Sequence, residues 1–213
     1  MPGHFLIKRI EIMHSYTKLL LAAVAVVSLG LLASSDATAQ ERLASPRGEA
    51  ATQIDGKWIA IDYGRPILRG RRGIFGSGDS YGEKVLAGAP VWRLGANQST
   101  RLNTEVALHF GDKMLPAGEY SLFAALSQTG WTLIVSNHQA QVNYGDGSPG
   151  IWGAYGYSPD KDVIRVPMTV SKLDNSVDEL TIGFLDVTAS GGVLAVWWDD
   201  QMATAPFKVG SDM

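Results

Sequence analysis

After residue 52 the chain never sustains a helical stripe. It runs as short segments rich in β-branched and aromatic residues, punctuated by glycine and proline. That cadence restricts the fold more than any other feature: a core-facing helix needs apolar residues every three to four positions, whereas strands need alternation or short apolar runs. "KWIAIDY" (residues 57–63) is such a run and stops at Gly64, and "GWTLIVS" (130–136) follows a turn at Gln128-Thr129-Gly130. "TRLNTEVALHF" (100–110) alternates, with Leu102, Thr104, Val106 and Leu108 on one face and Arg101, Asn103, Glu105, Ala107 and His109 on the other. Gly111-Asp112 and Pro116-Ala117-Gly118 are turns around a very short strand, and residues 120–126 continue as the next one. "DVIRVPMTV", "ELTIGFLDVT", "GGVLAVWWDD" and "APFKVG" read as further strands, and only "SYGEKVLAG" (80–88) has room for one or two helical turns. The expected fold is all-β: an antiparallel β-sandwich, jelly-roll or Greek-key-like, with long loops and little helix. The stretches 64–80 and 137–160 are the longest loops, and long loops on a rigid sheet are where function concentrates.

A leader precedes this domain. Residues 19–33, "LLLAAVAVVSLGLLA", carry no charge; Lys18 stands before them, and "ATAQ" follows with Ala37 and Ala39 at small-residue cleavage positions. This is the three-part pattern of a signal peptide over residues 1–39, and the apolar run is shorter than the ~20 residues of a membrane span. An uncleaved anchor is the competing reading. Met13, just before "HSYTKLLL", is the expected true start. Residues 40–52 read as a flexible lead-in and 53–210 as a single sandwich domain. The expected location is periplasmic or secreted, with no membrane attachment after cleavage.

Charge and cysteine content narrow the chemistry. Removing Lys8, Arg9, Lys18, Glu11 and Asp36 with the leader leaves 15 basic and 19 acidic residues of the original 18 and 21, a formal charge of −4. No nucleic-acid partner is expected from a chain without clustered excess cation. Cysteine is absent, which rules out disulfides, a thiolate metal site and a cysteine nucleophile. Only His109 and His138 follow the leader, and neither has a metal-ligand spacing. There is no Gly-x-Ser-x-Gly, no phosphate loop in a strand-to-helix setting, and no spacing that singles out a carboxylate pair. "YGDGSPG" (144–150) lacks the alternating oxygen ligands of a calcium loop. No catalytic residue, metal site or cofactor is assigned.

What stands out is a polar set with two tryptophans and a tyrosine: Arg65, Arg71, Trp92, Arg93, Asn97, Thr100, Trp152 and Tyr155. Arginine offers five donors in a rigid fork suited to a carboxylate, a phosphate or paired sugar hydroxyls. Asparagine both donates and accepts, and exposed aromatic rings can stack on sugars. The competing reading makes the arginines caps for loop carbonyls and partners for Asp62 or Glu105, Asn97 a turn residue, and the aromatics packing. Trp58, Trp131 and one of Trp197/Trp198 are expected in the core.

"YGRPILRGRRGIFG", "VWRLGANQST", "LPAGEYSLF", "WTLIVS" and "WGAYGYSPDKDVIRVPM", in that order, resemble the bacterial domain of unknown function 2911 family over about residues 45–210. Its elements stand here as Arg65-Pro66, Gly70-Arg71, Trp92-Arg93 and Gly95-Ala96-Asn97. The resemblance implies an exported protein and little about activity. The leading expectation is an exported, non-catalytic domain that binds a small polar or saccharide ligand or an envelope partner. The alternative is a hydrolase acting on an exported substrate, with Arg93 and Asn97 stabilising developing negative charge.

Overall fold

The computed structural model describes residues 43–145 and 147–210, so the leader assigned to residues 1–39 lies outside the described residues. In chain order the strands are β1 (Arg47–Ile54), β2 (Lys57–Gly64), β3 (Thr100–Thr104), β4 (Ala107–Phe110), β5 (Lys113–Leu115), β6 (Gly118–Ala125), β7 (Trp131–Ser136), β8 (Asp162–Thr188) and β9 (Gly191–Gly210). One α-helical turn, α1 (Glu83–Leu86), falls where "SYGEKVLAG" allowed it.

All strand pairings are antiparallel, as expected, and they join in one open sheet ordered β1-β2-β3-β6-β7-β8-β9-β4-β5. The two facing layers are this single sheet folded over. β8 performs the fold: Asp162–Met168 pair with β7, and from Thr169 onward the strand pairs with β9. The chain after β2 then lies against the far part of β8. Leu68 N–H donates to Asp178 O at 2.7 Å and Leu180 N–H to Pro66 O at 3.0 Å. The Tyr63 hydroxyl accepts from Ile182 N–H at 2.9 Å. Ile59, Ile61, Leu102, Leu122 and Leu133 from one half thus share a single apolar cluster with Leu180, Ile182, Leu194, Val196 and Phe207 from the other.

Period-two alternation places these side chains. Thr100, Leu102 and Thr104 point inward while Arg101 and Asn103 are exposed. The same parity corrects the expectation for Trp58. Ile59, Ile61 and Tyr63 take the inner face of β2, so Trp58 falls on the other face and is 50 % exposed. Trp131 and Trp198 are buried as expected, and Trp197 is half-buried. β6 and β7 are buried on both faces, because Ala154 of the 137–160 loop, with Ala89 and Val91, covers Phe123 and Ile134.

Three other boundaries differ from expectation. Residues 47–52, read as lead-in, belong to β1; its small polar residues have weak strand propensity, but Asp55 (φ 49°) and Gly56 (φ 74°) form a tight turn that pairs Ile54 with Lys57 and Arg47 with Gly64. The 100–110 segment breaks into β3 and β4, which belong to different halves of the folded sheet. The Thr104 hydroxyl donates to Val106 O at 2.6 Å and closes that corner. Residues 162–188 and 191–210, read as four strands, are two; register shifts at Lys172/Val177 and Val177/Thr181 absorb the polar "KLDNSVDE" stretch without ending the ladder.

Glycine is indispensable where backbones meet. A Cβ on Gly64 would stand 2.1 Å from Ala96 O, whereas one on Gly130 would meet nothing closer than Met168 O at 3.6 Å. Gly64→Ala should therefore cost roughly 1–3 kcal/mol, lowering Tm by about 2–4 °C for each kcal/mol. Gly130→Ala should leave Tm essentially unchanged. Thermal melts followed by circular dichroism check the pair; equal Tm values would contradict the close approach.

Candidate functional site

The Trp92–Asn97 segment is held from both ends. Trp92 exchanges two backbone hydrogen bonds of 2.8 Å with Ala124 of β6. At the other end, the Thr100 hydroxyl donates to Leu94 O at 3.0 Å and the Ser99 hydroxyl to Gly153 O at 2.5 Å. Between these anchors Leu94 (φ 48°) and Asn97 (φ 64°) take left-handed conformations, which cost of order 1–3 kcal/mol for a residue other than glycine. The resulting turn aims Asn97 O at Arg93, whose Nη1 donates to it at 3.0 Å.

Arg93 is only 8 % exposed. Its guanidinium carbon lies 4.8 Å from the centre of the Tyr155 ring, a cation–π contact. Tyr155 is fixed in turn, its hydroxyl donating to Ala87 O at 2.9 Å. Gly153 gives Arg93 its room: a Cβ there would lie 2.3 Å from Nη1.

The arginine-rich loop closes the same end. Asp199, 2 % exposed, accepts from Gly73 N–H at 2.5 Å, Ile74 N–H at 3.1 Å and the Ser176 hydroxyl at 2.8 Å. With the loop so pinned, Arg71 curls back, donating from Nε to Leu68 O and from Nη2 to Ile67 O, both at 2.9 Å. Between these loops lies a cleft of about 300 Å³ whose lining includes Arg71, Lys84, Trp92, Arg93, Asn97 and Tyr155.

Five of the eight residues singled out in the sequence therefore meet at one cleft: Arg71, Trp92, Arg93, Asn97 and Tyr155. Trp92 contributes there as buried floor, 1 % exposed, not as an open platform. The other three lie elsewhere. Arg65 donates to Leu180 O and the Thr181 hydroxyl, both at 3.2 Å, and faces Glu179 at 3.6 Å, so it braces β2 on β8. Thr100 is fully buried. Trp152 packs edge-on against Tyr144, ring centres 5.7 Å apart. Lys84, on α1, is the lining cation that sequence reasoning did not weigh; the signal was its place in the one segment able to form a helical turn.

The family model described as protein of unknown function (DUF2911) matches residues 45–207. The chain belongs to this family. No curated protein and no solved structure matches it. The stretch matched by the family model includes every residue of the cleft lining.

A second polar cluster ties the 137–160 loop to β8. The Tyr157 hydroxyl donates to Asp162 Oδ2 at 2.7 Å, and Arg165 Nη1 donates to the same oxygen at 2.7 Å and to the Tyr157 oxygen at 3.1 Å. Burial first, and then the neighbouring Asp162 carboxylate, push the Tyr157 phenol up from 10.0 to about 12, with Arg165 pulling the other way. Beside it His138 Nε2 accepts from Ser158 N–H at 2.9 Å. Among the described residues no three His, Asp or Glu side chains come together as a metal site.

Because the folded phenol keeps its proton beyond the pH at which an unfolded tyrosine loses it, this group's stabilising effect is complete below about pH 10 and is lost as pH rises towards 12. Ultraviolet absorbance titration should show a tyrosine ionising near 12 that disappears in Tyr157→Phe and moves down in Asp162→Asn. Superimposable high-pH limbs for wild type and Tyr157→Phe would refute the assignment.

Proposed function

We propose that this chain is an exported, non-catalytic binding domain that takes a small polar ligand in the Arg93 cleft. The observation that carries the reading is convergence: Arg71, Arg93, Asn97 and Tyr155 come from three separate stretches of sequence and line one concavity. A volume of about 300 Å³ stands at the small end of ligand sites and fits a monosaccharide-sized molecule better than a polymer segment. The exposed part of Tyr155, which is 45 % accessible, provides an aromatic surface beside the polar groups. Export rests on the leader pattern of residues 1–39, and its natural destination is the periplasm or the outside of the cell.

Binding is favoured over hydrolysis by the composition of the lining. It contains no histidine, aspartate or glutamate, so neither side-chain hydroxyl in it has a neighbouring general base. Those hydroxyls belong to Ser45 and Tyr155, and the second is committed to Ala87 O.

Expressed with its leader in a Gram-negative host, the protein should be recovered from the periplasm with an intact mass that begins at Gln40. The mass of the uncut chain would mean that the leader is an anchor. The recovered protein, screened by thermal shift against monosaccharides, sugar acids and organic acids, should be stabilised by one class, by about 2.7 kcal/mol at a hundredfold excess over Kd. Tyr155→Ala should abolish that shift while leaving the far-ultraviolet spectrum unchanged. Turnover of ester or glycoside substrates, lost in Arg93→Ala, would replace the binding reading with the hydrolase one.

A further inference from the structure

We infer that the ligand of the Arg93 cleft carries an oxyanion, a carboxylate or a phosphate, seated on the Arg93 guanidinium. This deepens the binding reading above and rests on it. The first ground is charge. Arg71, Lys84 and Arg93 all line the cleft, and no aspartate or glutamate does. None of the three forms an ion pair with a described residue, in contrast to Arg47, Arg65, Arg101, Arg165 and Lys172. The chain as a whole is acidic, with a formal charge of −3, so an acid-free set of three cations runs against its composition. Asp199, the nearest carboxylate along the chain to the lining residue Trp198, is already occupied by two backbone N–H groups and Ser176.

The second ground is the state of Arg93. An arginine more than nine-tenths buried as a residue is costly unless its donors and charge are met. Arg93 meets one carbonyl, through Nη1, and one aromatic ring. Nε and Nη2 take no acceptor from a described residue, yet they are not sealed away, since the one unpartnered fully buried polar side-chain atom among the described residues is Asp162 Oδ1. They form an edge of the fork that a two-oxygen group fits side by side. Arg65 shows the contrast at the same end of the fold: a bracing arginine here collects a carbonyl, a hydroxyl and a carboxylate. The Asn97 side-chain amide makes no hydrogen bond with a described residue and stands at the rim to orient the remainder of the ligand.

The test uses three probes of one size: D-glucuronate, glucose 6-phosphate and D-glucose. Each is titrated into the purified protein at low salt by calorimetry and by amide NMR. At least one anionic probe should bind, with shifts centred on Arg93, Asn97 and Tyr155, and added salt should weaken it. Glucuronate against glucose 6-phosphate decides between carboxylate and phosphate. Arg93→Gln should lower affinity roughly ten- to a hundredfold, and Arg93→Lys should restore only part, because an ammonium lacks the fork. Arg72→Gln, which removes an exposed charge outside the lining, should change nothing. If Arg93→Gln fails to fold, the exposed Lys84→Gln replaces it, with a loss of several-fold expected. Glucose bound in the cleft as tightly as glucuronate, and unaffected by Arg93→Gln, would overturn the oxyanion while leaving the ligand cleft standing. Anion-induced shifts mapping away from the cleft would overturn both. Failure of both anionic probes to bind would overturn the inference.

Discussion

Four aromatic rings fasten this domain together. Phe75 comes from the arginine-rich loop, Trp92 from the segment after α1, Trp131 from β7 and Trp198 from β9. Phe75 lies 5.0 Å from Trp131 and 5.7 Å from Trp92, and Trp92 stacks on Trp198 at 6.4 Å with planes 13° apart. Such pairs contribute roughly 0.5–1.5 kcal/mol each beyond the burial of their area. Their placement matters more than their sum. Trp131 and Trp198 belong to opposite halves of the folded sheet, and the two loop aromatics are wedged between them. The polar tips are met as well: Trp131 Nε1 donates to the Tyr81 hydroxyl at 2.9 Å, which donates to Gln201 Oε1 at 2.8 Å, and Trp198 Nε1 reaches Asp178 O at 3.2 Å.

The cleft inherits its rigidity from that knot. Trp92 is both a core ring and the residue before Arg93, so the guanidinium starts from a fixed point. Asp199 follows Trp198 and holds Gly73 and Ile74, the residues that precede Phe75. Loop and strand are thereby coupled through one carboxylate and one ring contact. Left-handed residues other than glycine stand in the lining at Ala87 and Asn97 and behind it at the buried Leu94. The packing around them supplies the energy to keep that strain, and the strain sets where the Asn97 carbonyl and the Tyr155 partner carbonyl of Ala87 point. A cleft held in this way would need little rearrangement to take the ligand proposed for it.

Much of the fold was legible in the sequence because burial and alternation coincide in its central strands. β7 and β2 are dominated by β-branched, aliphatic and aromatic residues, and no competing helical period exists in them. The misread parts are those where long-range pairing overrides local pattern. β1 is a polar edge strand recruited by its neighbour, and the Asp55-Gly56 pair was the signal that could have disclosed it. The Thr104–Val106 corner preserves apolar spacing while changing layers, so alternation alone reads straight through it. The polar middle of β8 reads as a linker because nothing local shows that β9 will run beside it. Trp58 was misplaced by hydrophobicity when parity with Ile59 and Ile61 already put it outside.

The site was legible to the level of residue types and no further. Arg65 and Arg93 look alike in sequence, each in a glycine-containing loop beside a strand. Their fates are decided by what arrives from over fifty residues away. The far half of β8 brings Leu180 O, Thr181 and Glu179 to Arg65, which spends its donors on holding the two layers together. The 137–160 loop brings Gly153 and Tyr155 to Arg93: a vacancy where a Cβ would stand, and a ring that accepts charge without consuming donors. The same burial that makes one arginine a brace therefore leaves the other with unspent donors facing open volume. Since a buried cation must find its counter-charge or carry the cost of lacking one, the second arrangement is stable as built only to the extent that Asn97 O and the Tyr155 ring offset desolvation, and the remainder is available to a partner from solution.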